Sequence, residues 1–455
     1  MGYQAIRNNL RRVLGGLAAA VVTAVALLPA NAAGLYDAEH FELANGMEVV
    51  VITDHRAPVV THMIWYKAGA ADEPPGESGI AHFLEHLMFK ATKTVASGEF
   101  SKVVARNGGR ENAFTSFDFT GYYQTVASDR LEIVMRLEAD RMRNVVFDEE
   151  SFEAERQVVL EERRSRTDND PAAQFAEQLS AAQYLNHPYG TPVIGWEHEI
   201  RALTIKSVRA FYDAHYRPNN AVLTVAGDVT PDDVRRLAEK YYGGIARVDV
   251  PARVRPKEPP QIAARRLDFS NARIARPNFR RTYLAPSTSA GKTEHALPLV
   301  LLSEILGGGS TSRLYRALVV EQKIAANSGS YYSASGLDRS RFYVYASPSE
   351  THSLDEVEAA VDKVIADVIE NGVSEEALLR AKTGFIASTI YARDNVRSAA
   401  RIYGRALTTG RTVEHVKSFP ERIEKVTAED VRRAAAYVFD LRRSVTGRLH
   451  PEPAS

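Results

Sequence analysis

The chain has 455 residues, 45% apolar and 25% charged, an ordinary globular composition with length for two or three domains. Its 57 basic residues balance 57 acidic ones, so net charge favours neither nucleic acid nor an anionic membrane as the main partner. Cysteine is absent, which excludes disulfides, thiol nucleophiles and thiolate metal sites, leaving only His, Asp or Glu to hold a zinc ion.

Residues 1–32 place Arg7, Arg11 and Arg12 ahead of an apolar run from Val13 to Leu28, then Pro29 and the small-residue end Ala30, Asn31, Ala32. This three-part pattern predicts a secretory signal cut after Ala32; its apolar run falls short of the roughly 20 residues that span a bilayer. The expected destination is the periplasm, with no membrane association after the signal is removed. Strands are predicted at Glu48 to Ile52 and Pro58 to Ala68. A Gly/Pro loop then leads to a helix from Ser78 to Thr92, where Ile80, Phe83, Leu84, Leu87 and Met88 form an apolar stripe. Helices follow at 97–107, 129–144 and 148–166, with aromatic-rich strands between Asn112 and Ala127. A strand at 220–226 and a helix from Pro231 close the first half.

Residues 249–275 read as a linker: Pro251, Pro256, Pro259 and Pro260 stand among Arg253, Arg255, Lys257, Arg265 and Arg266, a basic run expected to face solvent. Beyond it the order recurs, with a strand near 280–285, helices at 295–306 and 312–321, strands near 328–335 and 341–347, and helices from Leu354 onward. The repetition suggests an internal duplication, 33–248 and 276–450, of an α+β fold with helices packed on mostly antiparallel sheets.

Within the helix at 78–92, His82, Phe83, Leu84, Glu85 and His86 put two imidazoles at i and i+4, one turn plus about 40° apart, so both can reach one ion. Glu85 precedes the second histidine and can lean toward a bound water. Such a pattern arises by chance only about 0.02 times in a chain of this composition. A catalytic zinc needs a third protein ligand. On the helix at 148–166, Glu155 and Glu162 lie seven residues apart and share a face, although a charged helix laced with ion pairs would show the same pattern.

His82-Phe83-Leu84-Glu85-His86 followed by Glu162 resembles the inverted zinc motif of the pitrilysin and insulysin metallopeptidase family. Further landmarks occur in family order: Gly79-Ile80-Ala81, Asn112 to Asp118, Tyr122-Tyr123, Glu155-Arg156, His187 to Gly190, Pro218 to Asn220, Gly227-Asp228, and Leu306 to Gly309 with Ser312 to Leu314. The short chain is similar to the bacterial processing proteases and mitochondrial processing peptidase. The resemblance implies two homologous α/β sandwich repeats, only the first carrying metal. It implies one Zn2+ per chain on His82, His86 and Glu162, Glu85 as general base and Glu155 as a supporting acid. Asn112, Ala113, Phe114 and Thr115 would belong to a strand that binds a peptide substrate by its edge. The expected activity is zinc-dependent endopeptidase cleavage of short or unfolded peptides in a closed chamber; the competing reading is a non-catalytic peptide-binding or assembly subunit.

One departure stands out. The family's second half usually offers an Arg and, seven residues later, a Tyr that help stabilise the developing oxyanion; here Val320 and Asn327 occupy those places. Tyr331 and Tyr332 are nearby candidates for the tyrosine. The loss predicts a heterodimer, in which a homologous subunit without the zinc motif supplies the Arg/Tyr pair.

Overall fold

The computed structural model describes residues 38–392 and 395–452; the signal pattern at 1–32 lies outside them. In the first half, β1 (Ala38–Glu42), β2 (Glu48–Thr53), β3 (Val59–Tyr66), β4 (Arg110–Thr115), β5 (Thr120–Ala127) and β6 (Ala221–Gly227) form a sheet in the order β1-β2-β6-β3-β5-β4. Only β2 and β6 run parallel. Every residue of β6 is buried, as a strand covered on both faces demands, whereas β4 is half-exposed at the edge. The helices are α1 (Ile80–Leu87), α2 (Glu99–Arg106), α3 (Leu131–Asn144), α4 (Glu149–Arg163), α5 (Pro171–Gln183), α6 (Glu197–Ala202), α7 (Ile205–His215) and α8 (Pro231–Tyr241). Helix α1 ends sooner than its sequence stripe suggests, because the chain turns after Leu87 and carries Lys90 to Glu155.

The second half holds β7 (Arg265–Asn271), β8 (Asn278–Ala285), β9 (Ala325–Tyr332), β10 (Ser340–Pro348) and β11 (Ser444–Pro451), ordered β7-β11-β8-β10-β9 with β7 and β11 parallel. Its helices are α9 (Ala296–Gly307), α10 (Leu354–Asn371), α11 (Glu375–Ala392), α12 (Val396–Thr408), α13 (Val413–Lys417), α14 (Phe419–Glu424) and α15 (Ala428–Val438). This order is that of the first sheet without β1, with one parallel pair in the same place. At the position of α1, helix α9 carries Leu299, Leu301, Leu302, Ile305 and Leu306, all buried, in place of a metal motif. Part of the helix expected at 312–321 is wound as a π-helix, Tyr315–Glu321.

Two helices cross between the halves. Helix α12 lies on β6 and β3 of the first sheet, while α5 lies on β11, β7 and β8 of the second. Each crossing uses a glycine to let the layers close. A Cβ on Gly404 would sit 2.1 Å from the Trp65 indole, and one on Gly447 would sit 2.7 Å from Phe175. Buried Trp65, Met63, Val222, Ala399, Tyr403 and Leu407 make a third core at the first crossing.

The segment read as a linker, 249–275, is corrected in two respects. Residues 265–271 are strand β7, an edge strand whose period-two burial was masked by its arginines. The basic run does not simply face solvent. Arg255, only 7% exposed at its side chain, meets Asp72 at 2.9 Å, Asp118 at 2.5 Å and Asp338 at 3.2 Å. Arg253 donates to the carbonyls of Lys67, Asp118 and Thr408. Two arginines thus fasten the connection to both halves. No helix among the described residues is long and apolar enough to cross a membrane.

Candidate metal centre

The centre is built on α1, and its N-terminus is held by an acid from the preceding loop. Glu73 accepts hydrogen bonds from the backbone N–H groups of Gly79 and Ala81, each at 3.0 Å, and Glu199 accepts from Ser78 N–H at 2.7 Å. The Gly79 and Ala81 groups are donors that a helix start leaves without internal partners. Burial pushes the Glu73 carboxyl well above the usual carboxylate range, against the pull of both N–H groups. On the facing side, Phe83 meets Phe152 edge to face at 4.9 Å and docks α4 against α1.

That docking brings together the residues the sequence singled out. His82 and His86 lie with ring centroids 4.8 Å apart. Glu162 reaches both: its carboxylate oxygens are 3.8 Å from His82 Nε2 and 3.2 Å from His86 Nε2. Two turns back on the same face of α4, Glu155 lies 2.9 Å from His86 Nδ1 and also pairs with Lys90. Glu155 accepts from His86 Nδ1–H and so turns the ring to face Glu162 with Nε2, the atom that would ligate a metal. Glu155 therefore acts through His86 and is a positioning residue.

The electrostatics divide the two histidines. Burial lowers the His82 pKa to about 4, with help from its neighbour His86, so its ring is neutral and able to ligate. Burial also opposes charge on His86, but Glu155 and Glu162 outweigh it and raise its pKa to about 9. Glu162 is correspondingly lowered, by its hydrogen bond to His86 first. A cation is thus favoured between these groups. His82, His86 and Glu162 offer ligand atoms all within 4.8 Å of one another, the one such cluster among the described residues. Tetrahedral zinc, with bonds near 2.0–2.1 Å, holds its ligand atoms roughly 3.3 Å apart, so small side-chain adjustments suffice and the set fits the ion.

Glu85 faces the same cleft, which has a volume of about 690 Å³. It accepts a hydrogen bond from Thr115 Oγ1 at 2.6 Å, and burial raises its pKa despite that bond. Asn112, Ala113, Phe114 and Thr115 of β4 all line the cleft. Ala113 and Thr115 share the face of β4 turned to α1, while Phe114 lies on the other face against Trp65 at 5.0 Å. Immediately after Glu162 the helix widens into a π turn, Arg164–Asp168, from which Arg166 pairs with Glu162 at 2.5 Å.

Sequence reasoning missed Glu73, Lys90 and Arg166. Only Arg166 had a readable signal, its i+4 spacing from Glu162; the other two act through turns. In the second half, Val320 and Asn327 are exposed and Tyr331 is 65% exposed. Tyr332 is buried and donates its hydroxyl to the Pro286 carbonyl, so it is committed to the core.

Two α/β repeats thus place a His-His-Glu cluster and a buried carboxylate together in one cleft of the first repeat. Comparison agrees: residues 48–196 match the family described as insulinase (peptidase family M16), and 202–385 match the peptidase M16 inactive domain. The chain is 30% identical to the zinc protease PqqE of Helicobacter pylori, over 97% of this chain and 99% of that one. It is also 30% identical to a Mycobacterium tuberculosis protein described as the uncharacterized zinc protease Rv2782c, covering 91% and 93% of the two chains. The crystal structure of a protease from Helicobacter pylori superposes with a TM-score of 0.86 at 29% identity, covering 91% of this chain and 100% of that one. The fold is shared with the periplasmic protease PqqL of Escherichia coli, TM-score 0.77 at 19% identity, covering 90% of this chain and 47% of that one. The chain belongs to peptidase family M16, the insulinase family.

Proposed function

We propose that this chain is a zinc-dependent endopeptidase, exported to the periplasm, that cuts short or unfolded peptides in a closed chamber as the catalytic subunit of a heterodimer. The observation that carries the reading is Glu85 beside a ligand-ready His82, His86 and Glu162 set in one cleft. His82, His86 and Glu162 would hold one zinc ion. When bound, zinc polarises the scissile carbonyl and lowers the pKa of an adjacent water. Glu85 accepts that water's proton and returns it to the leaving amine, and its raised pKa suits a group that must both take and give. Thr115 holds the Glu85 carboxylate in place, and the free edge of β4 pairs with the extended peptide backbone. A non-catalytic binding subunit has no need of a hydrogen-bonded base beside an open ligand set.

The heterodimer rests on what the second half lacks. Val320 and Asn327 offer no guanidinium or phenol, and Tyr332 is tied to Pro286. A missing oxyanion donor costs about 3–4 kcal/mol of transition-state stabilisation. Export rests on the N-terminal pattern at 1–32. The test compares wild type and Glu85→Gln at equal zinc loading, each with a homologous subunit that carries the Arg/Tyr pair. Wild type should hydrolyse unfolded peptide orders of magnitude faster with the partner than alone. Glu85→Gln should keep its zinc and lose hydrolysis in both settings; retained turnover in that variant places the base elsewhere.

A further inference from the structure

Helix α12 presents Arg397, Arg401 and Arg405 at four-residue intervals, all exposed. Arg397 stands 5.6 Å over the Tyr123 ring, with Nη1 3.5 Å from its hydroxyl. Arg401 lies 4.9 Å over Phe114, and Arg405 Nη2 is 3.3 Å from Ser333 Oγ. None of the three meets a carboxylate among the described residues. Asp118, the acid that acts on Arg405 electrostatically, is engaged by Arg255 and Tyr189. A single exposed arginine needs no explanation. Three in a row over aromatic rings and hydroxyls concentrate positive charge on one helix face beside the edge strand β4.

The row has the right pitch for an extended chain. Four helical residues advance about 6.0 Å, and two strand residues about 6.7 Å. The contacts keep that register: Arg397 covers Tyr123 of β5, the cross-strand partner of Asn112, and Arg401 covers Phe114 of β4, two residues further on than Asn112. The far edge of β4 is unpaired among the described residues, and a peptide added there would lie about 4.8 Å beyond it. Its side chains alternate. Those on the side of Ala113 and Thr115 turn toward Glu85 and the metal ligands. Those on the side of Phe114 turn to the sheet face that carries the arginines.

We propose that Arg397 and Arg401, extended by Arg405, determine specificity: the preferred substrate is an extended acidic peptide with Asp or Glu at two positions two residues apart, on the side of the bound strand away from the metal. This rests on the peptidase reading only for the peptide's being cut. The chain's zero net charge conceals the row, because its acids are spent elsewhere.

The test uses three labelled peptides of one neutral frame, with Asp, Asn or Lys at the two alternate positions. Binding is followed by fluorescence anisotropy on zinc-loaded Glu85→Gln protein, and cleavage on the otherwise unaltered chain. Asp should bind at least tenfold more tightly than Lys, about 1.4 kcal/mol, with a preference that weakens as salt rises. In Arg397→Glu/Arg401→Glu the ratio should invert; in Arg397→Gln/Arg401→Gln it should fall toward one, with the melting temperature and zinc content of both variants unchanged. Equal binding of Asp and Lys peptides, no binding of the Asp peptide, or a preference surviving in both double variants overturns the proposal. Ordered binding with no cleavage of any peptide by the chain, with or without a partner, supports the site while removing the peptidase reading.

Discussion

At the scale of single residues, the centre depends on a carboxylate that is not itself a ligand. Glu155 lies 2.9 Å from His86 Nδ1 and is lowered in pKa because its bonds to His86 and Lys90 outweigh its burial. Partners of this kind fix the tautomer and aim of a ligand, and their loss typically costs 10–100-fold in metal affinity. Glu155→Ala should therefore weaken zinc binding about a hundredfold, whereas Glu155→Gln, whose amide oxygen still accepts from Nδ1–H, should lose about tenfold. Competition against a chelating dye at neutral pH separates these outcomes; unchanged affinity in Glu155→Ala removes the positioning role. The pair Glu155 and Glu162 was legible because seven residues return to the same helix face. What each does was not, because the sequence alone leaves a charged helix indistinguishable from a ligand helix. Glu73 was invisible for a different reason: its bonds to Gly79 and Ala81 depend on how a Pro-Pro-Gly loop folds back, and no periodicity records that.

At the scale of elements, one side chain ties a helix to three strands. Glu358 of α10 pairs with Arg266 of β7 at 2.8 Å, with Arg281 of β8 at 2.5 Å, and with Arg448 of β11. Burial would raise its carboxyl, but the three arginines outweigh this and lower the pKa from the usual 4.5 to about 2. A carboxyl depressed in the folded state contributes stability that is complete above its unfolded pKa and is lost as pH falls through the folded value. The window here runs from about 4.5 down to about 2. Glu358→Gln should lower unfolding free energy by about 3 kcal/mol at neutral pH, the low end for stripping a buried ion pair of one partner, and should flatten the acid loss across that window. Urea unfolding at neutral pH and near pH 3 reads both; a variant that loses as much stability on acidification as wild type contradicts the assignment. The strands of this cluster also show where the sequence was opaque. Strand β7 alternates Leu267 and Phe269 with polar residues, but it begins in arginines that continue a proline-rich run and read as linker. Strand β6, continuous and apolar, was plain.

At the scale of the whole molecule, the duplication was readable from the recurring order of strands and helices, yet the exchange of α5 and α12 between the halves was not. Such crossings are decided by shape, by Gly404 beneath Trp65 and Gly447 beneath Phe175, and composition carries no trace of them. The exchange has a functional consequence. Helix α12 belongs to the half without the metal cluster, and through Arg401 over Phe114 that half reaches the edge strand of the other, so both halves take part in the proposed enzyme. In the proposed enzyme, one zinc held by His82, His86 and Glu162 makes this chain a peptidase subunit. Metal analysis of the purified chain and its His82→Ala and His86→Ala variants after dialysis against trace zinc tests it most directly. Wild type should hold one zinc per chain and either variant little, because two ligands leave an incomplete shell. A full equivalent of zinc retained in both variants would contradict it.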